Sequence, residues 1–343
     1  MPKARSRGAR PPSMIDVAKR AGVSHQSVSR VLNTPDSVRP ETRHRIEEAM
    51  KALGYRRNEQ ARALKTQRTG MIGVVSQGVA DFGPNRMTLA IEGAARERGY
   101  VTAVSVVQDA DPETVDATLN VFLSHGIEGI VVITPFPALA EAARQLSRQT
   151  PVVLMTSGLW PAENMGVAGI DQECGARLAT THLTELGHRT IAHIAGPLDW
   201  FDARGRVTGW RQAIAVAQLG EQPLIEAGGW SAEAGYRAAG ELCAQGPLPD
   251  AVFAANDYLA LGLIRAFEER GIRIPGEVSV VGYDDVDAAG YFTPPLTTVR
   301  QPFAEAGRAA LELLLDETGA FTGVPQFIVP ELVTRHSTAR RSS

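Results

Sequence analysis

The sequence predicts an α/β protein with a helix-turn-helix head, and three observations carry that expectation. Residues 14–33 (MIDVAKRAGVSHQSVSRVLN) hold two short helical patterns that meet at Ala21-Gly22-Val23-Ser24. From Met71 onward, continuous apolar runs alternate with helical patterns, as in parallel sheets covered on both faces. The charge also changes sign along the chain. Residues 1–70 carry 16 Lys+Arg against 6 Asp+Glu, whereas the remainder carries 19 against 32. A cationic head suits the phosphate backbone of a nucleic acid, and an acidic body keeps the rest from adhering to the polyanion.

Within the head, Ser13 is placed to cap the first helix, with Asp16 three residues on as its capping-box partner. Gly22 supplies the permissive backbone of the turn, and Ser24 caps the second helix. Ile15, Ala18, Val23, Val28, Val31 and Leu32 are expected to close a small core. That leaves His25, Gln26, Ser29 and Arg30 on one outward face, the arrangement needed to read base edges in a major groove. The alternative is a plain helical hairpin with a solvated face. A third helix starts at Pro40, places Ile46, Met50 and Leu53 at helical spacing, and ends at Gly54. Residues 58–65 (NEQARALK) form a helical stretch too short to be stable alone. The Lys/Arg-rich start, Pro2 to Pro12, reads as a disordered basic tail.

In the body, strands are expected at 71–76, 101–107, 127–133, 151–155, 190–195, 250–255 and 278–282. Helices are expected around 86–98, 113–125, 137–149, 173–186, 203–218, 231–245 and 257–270. So many repeats exceed one sheet, so two lobes with a cleft between them are expected. With 343 residues there is ample chain for this plan.

Other classes find little support. No long apolar run or secretory leader is present, so a cytoplasmic location without membrane contact is expected. Cys174 and Cys243 stand far apart, and His188 and His193, which come closest to a ligand pair, sit where a helix end leads into a strand, so neither a disulfide framework nor a metal is expected. The phosphate-loop, dinucleotide, nucleophile-elbow and zinc-protease motifs are all missing, which argues against an enzyme and against a cofactor.

Five segments carry a resemblance: VSHQSVSRVLN at 23–33, AGPLDWFDARGRVTGW at 195–210, GGWSAEAGY at 228–236, AANDYLALG at 254–262, and VSVVGYDDVDAAGYFTPPLTTVRQPF at 278–303. The chain resembles the lactose repressor-type (LacI/GalR) family of transcriptional regulators from about Ser13 to Thr338. The resemblance implies a helix-turn-helix domain (13–57), a hinge helix and linker (58–70), and a two-lobed body like the periplasmic sugar-binding proteins (71–338). Lobe 1 would take about 71–170 and 301–330, lobe 2 about 171–300 and 331–338, leaving 339–343 as a tail. It places His25, Gln26 and Arg30 at base-reading positions; Arg30 suits guanine and Gln26 suits adenine. Ser24, Ser27, Ser29 and Asn33 suit phosphate contacts, which set register. In the hinge it adds Asn58 and Ala61, with Leu64 as a minor-groove wedge. Arg57 stands where the family usually has proline.

For the cleft, the resemblance implies Arg206, Asn256 and Asp284 as polar effector contacts, at carboxyl ends of strands where open α/β sheets bind ligands. Trp230 and Phe303 would face a sugar ring, with Gln301 nearby. Asn85 would be a first-lobe contact and Asp171 one at the lobe junction. Thr156 replaces an aspartate of the family's namesake, so that member's hydroxyl recognition does not transfer. The implied partners are operator DNA, a small carbohydrate and a second copy of the chain. The namesake's tetramer-forming leucine-heptad helix has no counterpart after Leu332-Val333, where HSTARRSS follows, so a dimer is expected.

Overall fold

The computed structural model describes residues 10, 12–56, 68–77, 80–107, 112–316, 321 and 323–341. Asn58, Ala61 and Leu64, the rest of the expected hinge helix and nearly all of the basic start lie outside the described residues. The chain divides into two compact units, Met1–Thr69 and Gly70–Ser343.

In the first unit, α1 (Met14–Ala21) starts at Ser13, whose Oγ accepts the Asp16 N–H while the Asp16 carboxylate accepts the Ser13 N–H at 2.8 Å. Gly22 ends it in the left-handed region at φ +64°. The second helix, α2 (His25–Asn33), is capped by Ser24, whose Oγ accepts the Ser27 N–H at 3.2 Å. The third, α3 (Pro40–Leu53), has Pro40 in its first turn and Gly54 at φ +62°. Val17, Ala18, Ala21, Val28, Val31, Ile46 and Ala49 form the core, with Val23 and Leu32 packed on it. Ile15 does not belong to that core: it is 54% exposed, and Val17 takes its place. Met14, Val17, Ala18 and Ala21 form one stripe of α1, and Ile15 lies roughly 110° around the helix from its centre.

The second unit holds two six-stranded sheets. The sheet of lobe 1 contains β1 (Met71–Gln77), β2 (Val101–Val107), β3 (Ile130–Ile133), β4 (Val152–Met155), β5 (Met165–Ile170) and β11 (Gln326–Ile328). Its order is β11-β5-β4-β3-β1-β2, and every ladder is parallel. The sheet of lobe 2 contains β6 (Ile191–Ala195), β7 (Leu224–Glu226), β8 (Ala251–Ala254), β9 (Ser279–Asp284), β10 (Thr297–Arg300) and β12 (Glu331–Val333). Its order is β12-β10-β9-β8-β6-β7, parallel except between β10 and β12. The chain therefore crosses between lobes three times, after β5, after β10 and after β11.

Helices α4 (Phe82–Glu97), α5 (Pro112–Ser124), α6 (Pro137–Leu146) and α11 (Phe303–Leu314) cover the first sheet. Helices α7 (Gln172–Glu185), α8 (Phe201–Val216), α9 (Ala232–Ala244) and α10 (Asp257–Glu269) cover the second. Among the described residues no helix is long and apolar enough to cross a membrane.

The seven expected strands are present within a few residues, but β5, β7, β10, β11, β12 and α11 were not anticipated. In β5 (MGVAGI) two glycines dilute the apolar signal for a packing reason. A Cβ on Gly169 would strike the Thr156 carbonyl, and one on Gly166 would meet the Phe321 ring at 2.7 Å. The segment after β12 is held against lobe 2. Ser337 is buried, donating to the Val280 carbonyl at 2.6 Å and accepting the Thr297 N–H at 2.8 Å. The Arg341 N–H reaches the Leu186 carbonyl at 2.9 Å.

Candidate nucleic-acid face and ligand cleft

On α2, His25, Gln26 and Arg30 are exposed and make no side-chain hydrogen bond or ion pair with any described residue. They share one face with Ser29, which is half-buried. The remaining polar residues there are engaged with one another. Ser24 and Ser27 share a hydroxyl contact at 3.0 Å, and Asn33 Nδ2 donates to the Ser29 carbonyl at 2.8 Å. Three unoccupied long side chains on a helix propped by two others form a surface able to offer donors and acceptors to an external partner.

In the body, strand ends converge on the space between the lobes. Arg206 projects from α8, Asn256 caps α10 directly after β8, and Asp284 ends β9. Gln301 and Phe303 follow β10, and Gln172 opens α7 after β5. Four of these close a buried ring. The Arg206 Nε donates to Gln172 Oε1 at 3.0 Å, Gln172 Nε2 to Gln301 Oε1 at 3.0 Å, and Gln301 Nε2 to Asp284 Oδ1 at 2.6 Å. A guanidinium nitrogen of Arg206 lies 3.8 Å from the same Asp284 oxygen, with 4% and 6% of the two residues exposed. The ring thus ties two of the inter-lobe crossovers to the ends of lobe 2's sheet.

Arg206 is further fixed by donating to the Ala255 carbonyl and by lying 3.9 Å from the centre of the Tyr283 ring. Burial pushes the Asp284 carboxyl up to about 6 in spite of Arg206 and Gln301, which both favour its ionised form. Asp284 and Asp285 also adopt positive φ, +112° and +50°, a backbone strain typical of ligand sites.

Two adjoining cavities open here, sharing Gly83, Pro84 and Asp202. The larger is lined by Thr134, Thr156, Ser157, Gln172, Gln301 and Phe303 among others. The smaller is lined by Asp81, Phe82, Trp200, Asp202, Arg206, Trp230, Asn256 and Asp284. Trp230 stands edge-on to Trp200 at 5.3 Å and lies over Gly196, where a Cβ would land inside its ring. Asn256 holds that arrangement, donating to the Trp230 carbonyl at 3.1 Å while its oxygen caps α10.

Six of the eight expected cleft residues therefore line the cavities: Arg206, Trp230, Asn256, Asp284, Gln301 and Phe303. Asn85 is exposed on the first turn of α4 and lines neither. Asp171 also lines neither, because its carboxylate caps α7 through the Cys174 N–H at 2.8 Å. Sequence reasoning missed Gln172, Asp81, Phe82, Trp200 and Asp202. Asp202 bridges the lobes by accepting the Ser157 hydroxyl at 2.8 Å, beside the Phe201 N–H on the Pro135 carbonyl at 2.9 Å. The available signal was position: Trp200 and Asp202 lie just after β6, as Asn256 does after β8.

Comparison with known proteins agrees with this geometry. The model described as bacterial regulatory proteins, lacI family, matches residues 13–58, and that of the periplasmic binding protein-like domain matches residues 180–338. The lactose operon repressor of Escherichia coli K12 is 34% identical over 333 residues, which is 96% of this chain and 91% of that protein. A crystal structure of the lac repressor dimer, bound to operator and an anti-inducer, superposes with a TM-score of 0.81 at 32% identity, covering 96% and 100% of the two chains. The HTH-type transcriptional repressor PurR of Haemophilus influenzae Rd is 34% identical over 94% of this chain and 97% of its own. The transcriptional regulator CelR, solved as a cellobiose complex, has a TM-score of 0.69 at 31% identity over 95% and 99%. The chain is a member of the LacI family of bacterial transcriptional regulators.

Proposed function

We propose that this chain is a ligand-controlled transcriptional repressor. It binds a pseudo-palindromic operator as a dimer, and a small carbohydrate held between its lobes releases it. The observation that carries the reading is the buried ring of Arg206, Gln172, Gln301 and Asp284, because a ligand touching it touches two inter-lobe crossovers. An acceptor carboxylate beside a donor guanidinium suits neighbouring hydroxyls, each of which donates and accepts. Trp230 and Phe303 add apolar faces for a sugar ring. A galactoside or another di- or oligosaccharide is the favoured effector, and the cellobiose complex of CelR supports that class.

In the head, His25, Gln26 and Arg30 read bases, while Ser24, Ser27, Ser29 and Asn33 set register on phosphates. Asn58, Ala61 and Leu64 complete the contact in the minor groove. The dimer doubles the half-sites read and lets two short hinge segments support each other; the operator-bound lac repressor dimer supports that assembly.

Duplex-DNA binding by the full chain across a salt series, with sugars added at fixed salt, tests the reading. A steep loss of affinity with salt, and release by one sugar class, are expected. Salt-insensitive binding or release only by a purine would refute it. Because coupling is reciprocal, operator must weaken sugar binding by the same factor. Sedimentation at micromolar concentration is expected to give a mass of two chains.

A further inference from the structure

The smaller cavity carries more negative charge than a neutral sugar needs. It is faced by three carboxylates, Asp81, Asp202 and Asp284, against one guanidinium, Arg206. Arg206 is committed to Gln172, the Ala255 carbonyl, Asp284 and the Tyr283 ring, so little of its charge is left for a ligand. Each of the three carboxylates keeps at least one oxygen without a hydrogen bond from a described residue. Asp81, at the N-terminus of α4, makes no side-chain hydrogen bond with a described residue. Asp202 uses one oxygen on Ser157, and the other has no partner among the described residues. Asp284 is 94% buried, and its Oδ2 accepts no hydrogen bond from them.

The same cavity is walled by Phe82, Trp200 and Trp230, whose ring faces are electron-rich and attract cations. Among the described residues no group of three His, Cys, Asp or Glu side chains is disposed to hold a metal ion. Carboxylates and aromatic rings facing one cavity make a lining that suits an organic cation. The larger cavity offers mainly neutral polar groups, Thr134, Thr156, Ser157, Gln172 and Gln301, with Asp202 as its one charge. The charge is thus concentrated in the smaller cavity, which residues of both lobes line.

We propose that the ligand carries a free ammonium group, seated between Asp81 and Asp202 against Phe82 and Trp200, so that the effector is a non-acetylated amino sugar. The proposal rests on the carbohydrate reading above, with Arg206 and Asp284 holding hydroxyls. Phosphorylated and acidic sugars are repelled by the same carboxylates.

Isothermal titration of the full chain at pH 7 and 0.15 M salt tests it. The probes are the β-1,4 dimers of glucosamine, N-acetylglucosamine and glucose, and the gluco- and galacto-monosaccharides in amine, acetylated and hydroxyl forms. One amine is expected to bind about tenfold or more tightly than both its acetylated and hydroxyl counterparts. Asp81→Asn/Asp202→Asn, which keeps side-chain size, is expected to reduce that advantage to about twofold. Equal binding of an amine and its hydroxyl form overturns the proposal and leaves the carbohydrate reading intact. An amine preference that survives the double substitution overturns the assigned seat. Failure of every sugar to bind overturns both.

Discussion

The buried carboxyl of Asp284 makes stability depend on pH in a calculable way. Its pKa is raised from 3.8 to about 6, with burial as the chief cause. Between those values the folded protein keeps a proton that the unfolded chain has released, so stability falls as pH rises. The stabilisation is full below pH 3.8 and lost above about pH 6. A displacement of this size corresponds to about 3 kcal/mol, of which about 2 kcal/mol is lost between pH 4.5 and 7. Asp284→Asn removes the titration while keeping an oxygen for the Gln301 amide. Buried His193 titrates in both proteins and cancels in the difference, whereas Asp257 is itself pushed up by the Asp284 charge, so part of the difference is read through that neighbour. Urea unfolding followed by tryptophan fluorescence is a suitable assay, because Trp200, Trp210 and Trp230 all lie in lobe 2 with Asp284. The variant is expected to gain on the wild type by about 2 kcal/mol as pH rises from 4.5 to 7. A flat difference, or one of opposite sign, would refute a buried carboxyl held near pH 6.

Arg30→Ala is expected to cost about 1–3 kcal/mol on the specific operator and to spare random DNA; equal losses in a gel-shift comparison would make Arg30 a phosphate contact. Arg206→Ala is expected to leave operator affinity within about twofold yet abolish release by the effector, because the ring loses its donor; release at the wild-type sugar concentration would disprove the assigned site. Gly196→Ala is expected to displace Trp230, shifting the emission maximum and weakening sugar binding, whereas Gly220→Ala, with nothing within 4 Å of its Cβ, should alter neither. Affinity for a hydroxyl-bearing ligand should weaken below about pH 6, where Asp284 takes up a proton and loses an acceptor; a pH-independent Kd from pH 5 to 8 would contradict that.

The head was almost wholly legible, since its caps, turn and polar face are local devices. Ile15 was misplaced because only the position of the neighbouring helices decides which of two apolar flanks is covered. In the body, strands buried on both faces announce themselves as apolar runs. β5 stayed hidden because its glycines answer to close neighbours, Thr156 and Phe321, that are remote or contextual in sequence. The short strands β7, β10, β11 and β12 carry three or four residues each, too few for a pattern. α11 (FAEAGRAALELL) is the one missed element whose helical pattern is plain in the sequence. In the cleft, six of the eight residues implied by the family's motifs line the cavities, and five other lining residues were not anticipated. Gln172 follows the expected Asp171, and Asp202 precedes the expected Arg206 by four on α8, so reach into the cavity depended on helix phase rather than on residue type.

The threefold crossing between lobes also bears on how the chain is made. The first unit's three helices lie wholly within the first 56 residues and can pack while the rest is still being synthesised. Neither lobe has that option. The first sheet lacks its edge strand β11 until Ile328 has emerged, and the second lacks β12 until Val333. The covering helix α11 of the first lobe arrives only after that lobe's first five strands, β1 to β5, and five strands of the other lobe have been made. A ribosome stalled between residues 195 and 328 therefore leaves the head tethered to two unfinished lobes. Such a fragment would hold DNA with neither an effector switch nor a completed body, and the cell's proteases, rather than its sugars, would decide how long it stayed there.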